Sequence, residues 1–182
     1  IVGMAAKRQG TIEICYVDCF SGPWGTSELE STSIAVSLRT MAKCRQKLAE
    51  LGVTASMRAL YIERDDEAFG NLERYLDSAT PDTVSAKCFH GDFVDLREQI
   101  LTWSGRDAFT FFFIDPKGWK SIGIEKLRPL LQRPRSEFLI NFIYDFINRT
   151  ASMAEWQSDI AEFLGVPIGA VQELEHHSPQ DR

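Results

Sequence analysis

Four acidic residues in this chain each stand where an apolar run breaks. Asp18 precedes Phe20-Ser21-Gly22-Pro23, Glu63 follows Tyr61-Ile62, Asp92 lies between Gly91 and Phe93, and Asp115 precedes Pro116. A carboxylate accepts two donors at once, which no neutral side chain does as well. Glu63 therefore has the chemistry to take both hydroxyls of a ribose, and Asp92 can accept from an exocyclic amine of adenine. Asp115 would face a reacting group. Gly22 has no Cβ, so the backbone there can approach a bound molecule closely. Each position has a plainer reading as well. Glu63-Arg64-Asp65-Asp66 could be a helix-capping cluster, Asp92 an N-cap, and Asp115 the end of a buried strand.

The elements that would hold these residues alternate regularly. Strand-like runs cover Ile12–Cys19, Met57–Glu63, Val84–His90, Phe109–Asp115 and Glu137–Phe142. The run Phe109–Asp115 is almost wholly apolar, as in a strand buried on both faces. Between the runs lie helical patterns. Ser33 is a candidate cap for a helix carrying Ile34, Leu38, Met41, Leu48 and Leu51, and Gly52 ends it. Asp65-Asp66 open a helix with Phe69, Leu72 and Leu76 on its buried stripe. Further helices carry Val94, Leu101 and Trp103, then span Ile124–Leu131, then Ala154–Leu164. This alternation predicts a doubly wound, mostly parallel sheet with helices on both faces, a Rossmann-like three-layer α/β/α domain. In such a sheet the strand ends lie along one edge, where ligands bind.

The chain has 182 residues, 44% of them hydrophobic and 25% charged. That is the composition of one ordinary globular domain, and residues 1–182 read as a single domain. It starts at Ile1 rather than Met and reads as a piece of a longer chain. No apolar run approaches a membrane span, and no signal-peptide pattern surrounds Ala5-Ala6-Lys7-Arg8. Cys15, Cys19, Cys44 and Cys88 read as reduced thiols, which points to a cytoplasmic protein. Cys15 and Cys19 lack a second pair, and His90, His176 and His177 add no ligand spacing, so no metal site is expected. The net charge is −6. Against it, Lys117, Lys120, Lys126, Arg128, Arg133 and Arg135 share one segment with a single acid, Glu125. That segment is either a solvated helix face or a patch for a phosphate-bearing substrate such as nucleic acid.

The first loop decides between cofactors. A dinucleotide site needs Gly-x-Gly-x-x-Gly leading straight into a helix that holds the pyrophosphate. Here the loop is Gly22-Pro23-Trp24-Gly25, and the helix begins several residues later. No triphosphate-binding loop is present either. An adenosine ligand without bridging phosphates fits better, and a nicotinamide-dependent oxidoreductase is disfavoured.

The sequence Asp18-x-Phe20-x-Gly22-Pro23, then Tyr61-Ile62-Glu63, then Gly91-Asp92-Phe93, then Phe113-Ile114-Asp115-Pro116, resembles the class I S-adenosylmethionine-dependent methyltransferases. More closely, the chain is similar to the three-Cys-motif partner (TcmP) family. Phe112-Phe113-Ile114-Asp115-Pro116-Lys117-Gly118-Trp119 and Leu139-Ile140-Asn141-Phe142 with Tyr144-Asp145-Phe146 carry that closer likeness, which covers roughly residues 12 to 150. The resemblance implies S-adenosyl-L-methionine as cofactor. It places Asp18, Phe20, Gly22 and Pro23 at its methionine end, Glu63 on the ribose, and Asp92 and Phe93 at the adenine. Trp24 stands where the second glycine of the methyltransferase loop would be. Asp115-Pro116-Lys117-Gly118-Trp119 is similar to the loop of amino-methyltransferases that act on nucleic-acid bases. There the acid accepts from the target amine and the aromatic stacks on a flipped base. By that likeness Asp115, Pro116 and Trp119 are the candidate catalytic residues. The resemblance leaves a second expectation: a non-catalytic cofactor-binding subunit of a three-Cys-motif protein.

Overall fold

The computed structural model describes residues 11–22, 29–116, 118, 122–141 and 144–174. Pro23, Trp24, Gly25, Lys117, Trp119, Lys120, Phe142 and the His176-His177 pair lie outside the described residues. The described chain divides into two compact units. One holds the sheet with residues up to Ile114 and Arg133–Ile140; the other holds Asp115–Gln132 and the segment from Asn141 onward.

The first unit is built on a five-stranded sheet of β1 (Thr11–Asp18), β2 (Thr54–Glu63), β3 (Ser85–His90), β4 (Phe109–Ile114) and β5 (Ser136–Ile140). The strand order is β3-β2-β1-β4-β5 and every pairing is parallel. Helices α1 (Ser33–Glu50), α2 (Asp66–Ala79) and α3 (Arg97–Ser104) make the crossovers. Side chains alternate along each strand, so the two faces bury different sets. On one face Ile12, Met57, Ala59 and Tyr61 pack with Ile34, Leu38 and Met41 of α1 and Leu72 and Leu76 of α2. On the other, the buried Cys15 thiol lies 3.9 Å from the Ser104 carbonyl, and the Arg58 guanidinium lies 4.2 Å from the centre of the Trp103 ring. Helices thus cover both faces, and the fold is the three-layer α/β Rossmann-like arrangement that the alternation predicts.

Local differences from the sequence reading have physical causes. Strand β2 begins at Thr54, earlier than Met57, because Ala55 pairs with Ile12 of β1 and faces the core. Thr32, not Ser33, caps α1 and accepts from the Ala35 N–H at 3.2 Å; Ser33 is already helical. Val94 falls outside α3, because its N–H is taken at 2.8 Å by the Asp92 carboxylate in a turn before the helix. Strand β4 is not buried on both faces. Phe112 and Ile114 are fully enclosed, but Phe109, Phe111 and Phe113 are half-buried. The reason is that α1 packs chiefly on β2 and α2 on β3. Tyr16 stacks on Phe111 there, with ring centres 6.1 Å apart, and Leu139 of β5, opposite Phe113, is 53% exposed.

The second unit is helical. It contains α4 (Ile124–Leu131), α5 (Tyr144–Thr150), α6 (Ala154–Leu164) and α7 (Ile168–Glu173), with α6 against the other three. Leu127, Leu130, Ile160, Phe163 and Val171 form its buried side. Helices α5 and α7 were not expected from the sequence; each is under two turns, too short for a periodic signal. Gly165 ends α6 at φ +67°, and a Cβ there would come within 2.1 Å of Ile124 Cγ2. Among the described residues no helix is long and apolar enough to cross a membrane.

Candidate functional site

In the first unit the sheet order reverses direction between β1 and β4, where an open α/β sheet leaves a crevice at the strand ends. The segment after β1 is tied over this place by its own backbone. Cys19 N–H donates to the Phe113 carbonyl at 2.9 Å, and Ser21 N–H donates to the Ile62 carbonyl at 2.9 Å. Residues 19–21 are thus pinned to the ends of both β4 and β2.

Asp18 works beneath that segment rather than on its surface. The residue is 0% exposed. Its Oδ1 accepts from the Phe20 N–H at 3.1 Å and its Oδ2 from the Ser33 hydroxyl at 3.0 Å. The structure therefore makes Asp18 a positioning residue that holds the loop and the start of α1 together. Its negative charge also marks the neighbourhood. Burial, and after it the Asp18 carboxylate, pushes the Cys19 thiol well above its usual range. Burial raises Tyr16 in the same way, with Asp18 next in weight. Tyr61 is raised chiefly by burial, and its hydroxyl lies 2.8 Å from that of Ser37.

Glu63 ends β2 and is 7% exposed. Its Oε1 accepts from the N–H groups of Arg64 and Asp65 at 2.7 and 2.8 Å, while Oε2 takes no donor among the described residues. The next strand end is tied to the same residue, since Gly91 N–H donates to the Glu63 carbonyl at 2.9 Å. Helix capping falls to Asp65, whose Oδ1 accepts from Ala68 N–H at 2.9 Å. The capping cluster and the binding candidate are thus different residues of the same four. Glu63 is thus an enclosed carboxylate with one oxygen fixed by backbone donors and the other without a donor among the described residues, so it can still accept from a hydroxyl.

Asp92 holds the turn before α3 through Oδ1. Phe93, 2% exposed, packs against Phe20 with ring centres 5.4 Å apart. The structure therefore brings the half-buried Phe20 and the buried Phe93 together as an aromatic pair and ties Glu63 to the start of the Gly91-Asp92-Phe93 turn. His90 adds a brace that sequence reading missed. Its Nε2 lies 3.2 Å from the Arg64 carbonyl and 3.1 Å from Asp66 Oδ1, and its ring stacks on Phe69 at 4.7 Å.

In the second unit Asp115 and Asn141 are both exposed, and Asn141 Nδ2 donates to Asp115 Oδ1 at 2.7 Å. Pro116 is buried, and its carbonyl accepts from Gly118 N–H at 2.9 Å. The partner of Asp115 had a signal in the sequence: Asn141 follows the apolar run of β5 as Asp115 follows that of β4.

The basic segment is less open than its sequence implies. Arg133 is buried in the first unit. It donates to the carbonyls of Gly105 at 3.0 Å and of Ala108 and Pro134 at 2.9 Å, and to the Ser136 hydroxyl at 2.9 Å. Arg128, in the second unit, is paired with Glu125. The exposed Arg128 is in keeping with a solvated helix face, one of the two readings of this segment. Arg133 is instead a structural cation, because the chain ends around β5 leave carbonyls that need donors. Among the described residues no group of three or more His, Cys, Asp or Glu is arranged to hold a metal ion.

Comparison of the chain with protein-family models, with curated proteins and with solved structures gives no match.

Proposed function

We propose that this chain is an S-adenosyl-L-methionine-dependent methyltransferase acting on an amino group of a nucleic-acid base. The observation that carries the reading is Glu63, an enclosed carboxylate at a strand end with one oxygen fixed by backbone donors and the other without a donor among the described residues. Glu63 would hold the ribose hydroxyls, Asp92 the adenine edge, and the Phe20–Phe93 pair would form an apolar wall. Asp18 would act through the loop it holds. When bound, the cofactor supplies a sulfonium whose methyl carbon is already electrophilic. The protein must then align a nucleophile and exclude water, and it needs little acid-base chemistry of its own. Asp115 supplies an acceptor for the hydrogens of the target amine.

A second reading is favoured by Trp24 in place of the glycine expected in the first loop. It is a cofactor-binding subunit that has lost catalysis and serves a three-Cys-motif partner protein. The remaining members of the basic segment supply charge for nucleic acid in the first reading.

Titration calorimetry with S-adenosylmethionine, S-adenosylhomocysteine and NADH tests the cofactor. Saturable heat from both adenosyl ligands, and none from NADH, is the expected result. Heat from NADH alone would sink the reading. Transfer of labelled methyl to pooled RNA and DNA then separates the enzyme from the non-catalytic subunit.

A further inference from the structure

The connection between α6 and α7 in the helical unit is a hydrogen-bonded turn with an apolar outer surface. With Gly165 at φ +67°, the Val166 N–H donates to the Ala161 carbonyl at 3.0 Å and the Gly165 N–H to the Glu162 carbonyl at 3.2 Å. This pair of bonds is a Schellman turn. Ala170 N–H donates to the Pro167 carbonyl at 2.9 Å, and the fully buried Val171 anchors α7. The run Gly165-Val166-Pro167-Ile168-Gly169-Ala170 is exposed at every residue and carries no polar side chain. An exposed apolar run of that length marks a surface with a function. Ile168 is 47% exposed, and a Cβ at Gly169 would meet nothing within 4 Å, so a partner can come close to the backbone there.

Charge narrows the partner. Ala154–Leu174 holds the acids Glu155, Asp159, Glu162 and Glu173 and no basic residue. A helix-turn-helix that reads DNA needs cations for the phosphates, and this one has none. Glu162 stands three residues before the apolar run and Glu173 three residues after it; both are exposed, and neither has an ion pair among the described residues. The complement lies on α1 of the sheet unit. Val36, Thr40, Lys43, Lys47 and Leu51 are exposed and follow one stripe of that helix. Arg39 is taken by Glu30 and Arg45 by the Ala55 carbonyl, but Lys43 and Lys47 have no hydrogen bond or ion pair among the described residues. Leu51, one turn beyond Lys47, is 76% exposed, more than any other large apolar side chain among the described residues. One surface is thus an apolar run between two unpaired acids, and the other an apolar side chain behind two unpaired lysines.

We propose that the chain associates with a second copy head to tail: Leu51 of one copy seats on the Val166–Ala170 run of the next, and Lys43 and Lys47 face Glu162 and Glu173. Two unlike surfaces meet, so the contact is heterologous. It is independent of the methyltransferase reading.

Sedimentation velocity over a range of protein concentrations tests this. The expected result is reversible association that weakens with added salt. Leu51→Ser and Ile168→Ser should each weaken it roughly ten-fold or more, as for a buried interface anchor, with thermal unfolding unchanged. Mixed in equal amounts, these two variants should regain a dimer and go no further, because one pair of wild-type surfaces remains between them. The double variant Glu162→Gln, Glu173→Gln should lose most of the salt dependence. A monomer at every concentration, association that survives both serine variants, or a mixture no better than its parts overturns the proposal. Fluorescence anisotropy with a labelled DNA duplex covers the other class of partner: binding that Ile168→Ser abolishes would give the turn to nucleic acid and overturn the proposal as well.

Discussion

The Ser33 hydroxyl donates to the fully buried Asp18 carboxylate at 3.0 Å, which joins the end of β1 to the first turn of α1. The other carboxylate oxygen takes the Phe20 N–H. One side chain therefore sets the path of the loop over the crevice. Asp18→Asn keeps the shape but can present only one acceptor, so a donor loses its partner. A buried unmatched donor costs about 1–3 kcal/mol. Urea unfolding of Asp18→Asn should show a loss in that range, with S-adenosylhomocysteine binding weakened as well. Wild-type stability in the variant would remove Asp18 from this role.

Glu63→Ala should weaken S-adenosylhomocysteine binding by about 1.5–3 kcal/mol, the range for hydrogen bonds to a charged group. Glu63→Gln keeps an oxygen for the Arg64 and Asp65 N–H groups and should retain wild-type stability while still losing affinity. Calorimetry beside urea unfolding separates the two effects. Equal affinity in all three proteins would exclude Glu63 from the site.

In the helical unit, Gly165→Ala places a methyl against Ile124 Cγ2 at a left-handed φ of +67°. The backbone cost is about 1 kcal/mol, and overpacking adds about 1–3 kcal/mol. Hydrogen exchange in α4 and α6 should accelerate. Ile124→Ala in the same chain should recover the packing part but not the backbone part. Exchange unchanged by Gly165→Ala would argue against this packing.

Alkaline pH should destabilise the first unit through its thiols. Burial pushes Cys15 up to about 11 from an ordinary 9.0. A thiol is neutral when protonated, so the folded state holds its proton longer than the unfolded chain does. The contribution is complete below the unfolded value and is lost as pH rises from about 9 to about 11. Each unit of difference is worth about 1.4 kcal/mol. The unfolding free energy, followed by urea titration at several pH values, should fall across this window, and Cys15→Ala should flatten the fall. Cys44, which is exposed, should react with a thiol reagent far sooner than the buried Cys15 and Cys19.

The sheet was legible because its signal is repeated. Each apolar run ends in an acid or a turn, and the period of strand and helix does not depend on any one residue. Burial on one side was not legible: Phe109 and Phe111 look like core residues, yet their exposure depends on where α1 and α2 cross. Within the site, Glu63 could be found because its position at a strand end and its charge coincide. The partners of Asp18 and Asp115 were missed because Ser33 and Asn141 act across the fold, 15 and 26 residues away in the chain. Arg133 misled for a related reason. Sequence gives its charge, but only the fold reveals the carbonyls that absorb it.

Arg133 has a further consequence for behaviour in acid. Its acceptors are backbone carbonyls and one hydroxyl, none of which changes charge on acidification. An edge strand is ordinarily the first part of a sheet to fray. Here β5 is fastened by a clasp whose acceptors are all neutral, so its hold on the strand does not depend on any carboxylate.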